Sequence, residues 1–304
     1  MKPAQQSMNL LAWSLLLLLA VIWGGSYLSN RIALDDVPVF TTVAFRVGGA
    51  ALALWLFVLI RGLRPLPRFD QWLALIGMGV FNNVIPFSLI VWGQQHIPTG
   101  LAAILNAATA LITVLLAALI FADERLTKGK ALGVLTGFVG VIIVIGPAVL
   151  HQFDLTALGQ LAMLGAALFY AISGCYARLF LKGMSPVVQA AGTLAGAALV
   201  MIPLALWADG WPTMDYGLPA WGALAYLALV SSAFAYVLFY KVLALAGAGN
   251  LGLVTLLVGP VAAAMGAVAY GETLPLRAWA GFAVITLGLI LIDGRLARRF
   301  GRSG

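Results

Sequence analysis

The sequence predicts an all-α integral membrane protein, with ten transmembrane helices arranged as two inverted five-helix repeats around a central cavity. Three observations predict this. The 304 residues are 63% hydrophobic and only 9% charged, where a soluble domain has ~45–50% and ~25%. Apolar runs long enough to cross a bilayer recur from end to end. The second half also repeats features of the first at a nearly constant offset.

Breaks by charge, proline and glycine divide the chain into spans at roughly 10–28, 38–60, 71–92, 98–121, 130–150, 157–180, 186–207, 219–240, 249–270 and 277–292. The run Leu10–Leu28 exceeds the ~7–15 residues of a signal-peptide core and lacks a clear small-x-small cleavage site, so it is kept as the first span. The connections are short, leaving no room for a separate soluble domain. The expected units are residues 1–150 and 151–304, the second ending in a short basic tail. The single cysteine, Cys175, excludes an internal disulfide and a cysteine-only metal site. No metal or cofactor is expected. The net charge of +7 would suggest nucleic acid in a soluble protein. Here the basic residues lie in short loops, so no nucleic-acid partner is expected and the charge speaks to orientation. With ten spans, one side carries fourteen Lys and Arg and the other only Arg31 and Arg277, Arg46 lying inside a span. The richer side, with both termini, is expected to be cytoplasmic, in a bacterial inner membrane.

The repeat is read from four alignments. Trp72-Leu-Ala-Leu matches Trp221-Gly-Ala-Leu, Asn82-Asn83 matches Ser231-Ser232, Asp123-Glu124-Arg125-Leu126 matches Gly271-Glu272-Thr273-Leu274, and Val37-Pro38 matches Ser185-Pro186. The offset stays at 148 or 149. Each half holds five spans, an odd number, so the second copy is expected to cross the membrane upside down. Many secondary transporters are built this way, with substrate held at the repeat interface near mid-membrane.

These motifs resemble the EamA-type branch of the drug/metabolite transporter superfamily. The resemblance rests on Trp23-Gly24-Gly25-Ser26-Tyr27, Phe45-Arg46, Glu124 with Gly133 and Gly140, and Gly259-Pro260 with Gly271-Glu272, Gly281 and Gly288. Span 4 departs from it by lacking the counterpart of Pro260, and Glu124 follows Asp123 rather than glycine. The resemblance implies movement of small metabolites. The members that look most similar are bacterial exporters of aromatic amino acids and related compounds.

Polar residues inside spans are costly unless paired or facing water, so they are the candidate site. In span 1, Trp23, Gly24 and Ser26 read either as cavity or gate lining or as close packing near an interface, with Tyr27 a possible belt residue. Span 3 offers Asn82, Asn83 and Phe87, the last two one turn apart, with Pro86 loosening the turn before it. Span 8 offers Ser231, Ser232 and Tyr236 at the equivalent place. Span 4 contributes Asn106, beside Thr109 and Thr113. Span 6 contributes Ser173 and Tyr176, together with Tyr170. Pro260 in span 9 is expected to break its helix and expose carbonyls. These amides and hydroxyls read as cavity lining or as ordinary interhelical hydrogen bonds, worth ~0.6 kcal/mol each.

Arg46 is the one charge well inside a span, and its counterpart near Leu194 is uncharged. It reads either as an anchor for a substrate carboxylate, which guanidinium binds bidentately, or as a structural charge. In the structural reading it caps helix carbonyls or reaches Asp35, Asp36 or Glu272. No acid lies deep in a span, and His96 and His151 fall in loops, so a proton relay is not evident. The G-x-G-x-x-G at Gly247–Gly252 lies between spans with no βαβ unit, and reads as a turn. Gly133-x-x-x-Gly137 and Gly192-x-x-x-Gly196 predict close helix crossings.

The expected function is therefore secondary transport of small organic solutes, most simply export of aromatic or other neutral amino acids by alternating access. The alternatives are a nucleotide-sugar, organophosphate or drug-type carrier, or a membrane-embedded enzyme. The expected partners are a small-molecule substrate and the lipid bilayer, and no oligomeric state is assigned.

Overall fold

The side chain of Asn9 accepts a hydrogen bond from Ala12 N at 2.8 Å, supplying a partner to one of the orphan amides that open the first helix. That helix, α1, runs over Leu10–Ala33. In the computed structural model, which describes residues 9–63, 67–122, 126–145, 155–181, 184–239, 241–242, 245 and 254–293, nine further helices follow. They are α2 (Val39–Ile60), α3 (Phe69–Gly93), α4 (Thr99–Ile120), α5 (Lys128–Ile145), α6 (Leu155–Phe180), α7 (Pro186–Ala208), α8 (Leu218–Phe239), α9 (Val254–Tyr270) and α10 (Leu276–Asp293). Prolines mark several starts: Pro38 and Pro98 precede α2 and α4. Pro186 opens α7 behind a Ser185 cap on Val188 N, a position where its missing N–H costs nothing.

Among the described residues, seven helices are long and apolar enough to cross a membrane, and Leu257–Tyr270 and Leu276–Ile292 are shorter apolar helices. Asp123, Glu124, His151, the Gly247–Gly252 motif and the basic tail lie outside the described residues.

The strongest packing partners fall into sets that map onto one another when the halves are exchanged. Helix α2 packs on α7, α4 on α9 and α5 on α10, each a helix against its own counterpart. The pair α1–α9 answers α6–α4, α3–α7 answers α8–α2, and α3–α6 answers α8–α1. The three counterpart pairs run antiparallel. In α5–α10, a Cβ on Gly133 would meet Gly288 O at 2.6 Å and one on Gly140 would meet Gly281 O at 2.8 Å. In α4–α9, Gly100 lies against Ala263 and Gly259 against Ile104. In α2–α7, Thr41 N is 2.7 Å from Asp209 Oδ2 while Gly48 lies against Ile202. The predicted glycine crossings are contacts within this chain: Gly137 meets Leu111, Gly192 meets Leu75, and Gly196 meets the backbone of Ile76.

Both α3 and α8 contain a π-helical stretch, Val80–Val84 and Tyr226–Phe234 respectively. The two stretches occupy equivalent places in the repeat. A π turn inserts an extra residue and re-aims the side chains around it, often at functional sites. Pro86 follows the first stretch, but the second has no proline, so proline is not what both share. The expected break at Pro260 is not seen: α9 is helical through it. An internal proline removes a single backbone bond, and here the flanking turns hold the helix. The interruption falls instead in α4, after Asn106, where Ala107 N turns back to Ile104 O at 3.1 Å.

Candidate functional site

The re-aimed turns of α3 and α8 face each other across a polar cluster. Asn82 Nδ2 donates to the Tyr236 hydroxyl at 3.1 Å, and the Ser173 hydroxyl lies 2.9 Å from Asn82 Oδ1. The indole N–H of Trp23 donates to Ser231 O at 3.3 Å. These bonds join α6, α3, α8 and α1 in one chain of contacts.

Arg46 of α2 enters the same region. It is 6% exposed. Its Nε donates to Ser232 Oγ at 3.1 Å, and its guanidinium lies 3.9 Å from the centroid of the Phe87 ring. Four phenols, of Tyr170, Tyr236, Tyr27 and Tyr226, are close enough to feel its charge. Among the described residues the ion pairs are Arg31–Asp35 and Arg68–Asp70, so no carboxylate neutralises Arg46. Asp35, Asp36 and Glu272 are engaged elsewhere. Tyr270 donates to Asp35 at 2.9 Å, Gly217 N donates to Asp36 at 3.0 Å, and the Thr99 hydroxyl donates to Glu272 at 2.8 Å. The reading of Arg46 as the partner of an acid at a helix end is thereby corrected.

Magnitudes explain why the charge is tolerated. Placing an arginine at a helix centre costs ~2.5–3.5 kcal/mol on insertion scales. A desolvated cation–π contact returns about 2 kcal/mol, and a hydrogen bond from a charged group ~1.5–3 kcal/mol. Phe87 and Ser232 together are thus sufficient to hold the guanidinium without a counter-ion. Among the described residues neither terminal NH2 group donates a hydrogen bond, and Nε alone is engaged.

The other sequence candidates separate. Asn83 is fully buried on α3, and neither atom of its amide has a hydrogen-bond partner. Gly24 packs on Val261 of α9, away from the cluster; it is Gly25 that faces Tyr226. The Ser26 hydroxyl is satisfied by its own helix, at Trp23 O, 2.7 Å away. Among the described residues, the Asn106 side chain accepts one long hydrogen bond, from the Thr109 hydroxyl at 3.5 Å. Tyr176 stands in an aromatic group with Phe81 and Phe180, ring centroids 5.5 and 4.6 Å away, with its hydroxyl against Gly77.

Sequence reasoning missed Tyr226 and undervalued Tyr27. Tyr27 is 5% exposed, which removes it from any lipid-facing belt. Tyr226 donates to Ile22 O at 3.0 Å. A second buried pair was also missed: Asn30 Nδ2 donates to Gln94 Oε1, and Gln94 Nε2 donates to Tyr27 O, both at 2.9 Å. The signal available was Gln94 at the end of an apolar run, which reads equally well as a loop residue.

The profile of the EamA-like transporter family matches twice, over residues 10–146 and 157–293. The chain belongs to the EamA-like transporter family. It is 27% identical over 295 residues to the probable terminal-alkyne amino-acid exporter of Streptantibioticus cattleyicolor, covering 94% of this chain and 95% of that one. It is 27% identical over 283 residues to the uncharacterized inner membrane transporter YedA of Escherichia coli K12, covering 90% and 88%. It is 20% identical over 279 residues to the uncharacterized transporter YoaV of Bacillus subtilis, covering 92% and 95%. A solved crystal structure shares the fold, with a TM-score of 0.64 at 21% identity, over 95% of this chain and 98% of that one. As an EamA-like protein the chain is an integral membrane transporter of a small molecule, and not an enzyme.

Proposed function

We propose that this EamA-like protein is a ten-span, inverted-repeat secondary transporter that exports small carboxylate-bearing solutes, amino acids and related metabolites, by alternating access. Its two units are residues 1–150 and 151–304. It sits in a bacterial inner membrane with both termini cytoplasmic, as the fourteen-to-two split of basic residues favours. The antiparallel packing of α2 on α7, α4 on α9 and α5 on α10 supports inversion, because copies related by an axis along the membrane normal keep the same direction.

The observation that carries the substrate reading is Arg46, buried, held by Ser232 and Phe87, and unneutralised by any described acid. Trp23, Asn82, Asn83, Phe87, Ser173, Ser232 and Tyr236 are assigned to the substrate site with it. One relative's description as a probable amino-acid exporter points the same way. A nucleotide-sugar or organophosphate carrier needs several cations against a multiply charged phosphate, and this cluster offers one.

The test is flux. Purified protein in liposomes is given a panel of labelled amino acids and carboxylates, with protein-free liposomes as the blank. Saturable flux that disappears in Arg46→Gln is the expected result. Absence of flux across the whole panel sinks the proposal.

A further inference from the structure

Every described acid lies at a helix end or in a loop: Asp35, Asp36, Asp70, Asp209, Asp215, Glu272 and Asp293. Among the described residues, the groups found beside Arg46 are neutral: the Ser232 hydroxyl, the Phe87 ring and the four phenols. Asn83, four residues before Phe87 on α3, adds an unpartnered neutral amide. The phenols of Tyr27 and Tyr170 form no hydrogen bond among the described residues. Among the described residues the cluster thus holds one positive charge and neutral donors and acceptors, with no acid.

A zwitterion fits such a place poorly. Its carboxylate meets Arg46, but its ammonium is then brought beside the same cation with only neutral acceptors, and no described acid, to receive it. A tyrosine face returns ~0.5–2 kcal/mol to an ammonium, whereas taking an ion out of water costs several kcal/mol. A carboxylate with a neutral group in place of the ammonium neutralises the site and leaves nothing uncompensated. Resting on the transport reading above, we infer that the Arg46 cluster selects a substrate of net charge −1, such as an aromatic hydroxy acid, and that the membrane potential alone exports it. Over a full cycle the protein returns to its starting state, so the substrate's charge is the only charge moved. A cytoplasm-negative potential drives an anion outward with ~2.3 kcal/mol per 100 mV. That corresponds to a roughly 50-fold equilibrium gradient, with no coupled ion. The lack of a described acid deep in the bundle fits a carrier that needs no proton relay.

Phenylalanine and 3-phenyllactate form the test pair, since they differ only in ammonium against hydroxyl. Wild-type protein is reconstituted in liposomes loaded with one or the other. A potassium gradient with valinomycin then sets the potential, and protein-free liposomes give the leak. The expected result is efflux of phenyllactate well above that of phenylalanine, reaching an out-to-in ratio of about 50 at 100 mV inside-negative and near unity at zero potential. Phenylalanine transported in preference to phenyllactate overturns the inference and leaves the transport reading standing. A phenyllactate gradient that ignores the potential also overturns it. Movement of neither compound, nor of any member of the wider panel, fails both readings. Two wild-type arms carry the comparison, so it does not depend on Arg46→Gln folding.

Discussion

Arg46 Nε lies 3.1 Å from Ser232 Oγ, so the one charge well inside a span of the first repeat is tethered to the π-helical stretch of the second. On the proposed reading, a substrate on Arg46 would be held through a contact between the two halves. Breaking the tether should loosen the guanidinium without removing it. In Ser232→Ala the Nε hydrogen loses its partner in a buried place, at a cost of ~1–3 kcal/mol. Transport KM for a carboxylate is expected to rise roughly tenfold, since 1.4 kcal/mol is one decade. Ser232→Thr keeps the hydroxyl and should stay near wild type. Equal KM values in Ser232→Ala and wild type would remove the bond from the mechanism.

Asn83 makes the opposite prediction for stability. Its amide is buried and has no partner, so the resting protein gains nothing from it and carries its desolvation cost. Asn83→Leu, with the same branching and number of heavy atoms, should raise the melting temperature of detergent-solubilised protein while lowering flux. A loss of stability with flux unchanged would show that the amide serves packing alone.

The Asn82–Tyr236 bond, 3.1 Å long, links equivalent turns of the two repeats. A double-mutant cycle with Asn82→Ala and Tyr236→Phe should return a coupling of about 0.6 kcal/mol, the size typical of such bonds within a membrane. Urea or SDS unfolding curves of the four proteins measure it. A coupling near zero would mean that the two side chains act independently.

Much of this arrangement is readable in the sequence, and the unreadable part has physical causes. Arg46 stands out because no other charge interrupts a span, and Asn82-Asn83 align with Ser231-Ser232 because the repeat offset barely drifts. Antiparallel counterpart helices follow from five spans per half. The π stretches are not legible, because the extra residue in Val80–Val84 and Tyr226–Phe234 leaves no mark in composition. They re-aim the side chains of α3 and α8, and Tyr226 opens the second of them. A lone tyrosine such as Tyr27 looks the same in sequence whether it meets lipid headgroups or a buried guanidinium. Pro260 misleads because a proline guarantees one lost bond, not a broken helix.

The antiparallel α5–α10 crossing is a packing prediction. A Cβ on Gly288 would meet Gly133 O at 2.6 Å and Gly137 N at 2.6 Å, and backbone cannot swing aside as a side chain can. Gly288→Ala should therefore destabilise by ~1–3 kcal/mol, as overpacking does. Gly174→Ala on α6, where a Cβ would meet nothing within 4 Å, should be neutral or stabilising by up to about 1 kcal/mol from helix propensity. Melting curves of the two variants side by side check the contrast. Similar melting temperatures would refute the close crossing.

The glycine pair of α1 supplies the most specific test. A Cβ on Gly25 would sit 2.6 Å from the Tyr226 hydroxyl oxygen and 3.2 Å from its Cζ, while that hydroxyl donates to Ile22 O at 3.0 Å. Gly25→Ala must push the phenol off its carbonyl, and a loss of ~1–3 kcal/mol is expected. Tyr226→Phe alone deletes the hydrogen bond and should cost about 1 kcal/mol. In the double variant the clashing oxygen is gone and the nearest ring atom stands at a distance a small shift relieves. Gly25→Ala combined with Tyr226→Phe should therefore melt above Gly25→Ala alone, although each single change is destabilising. The flux of the double variant should recover in parallel. Simple additivity of the two losses would mean that Gly25 is required for a reason other than the space Tyr226 occupies.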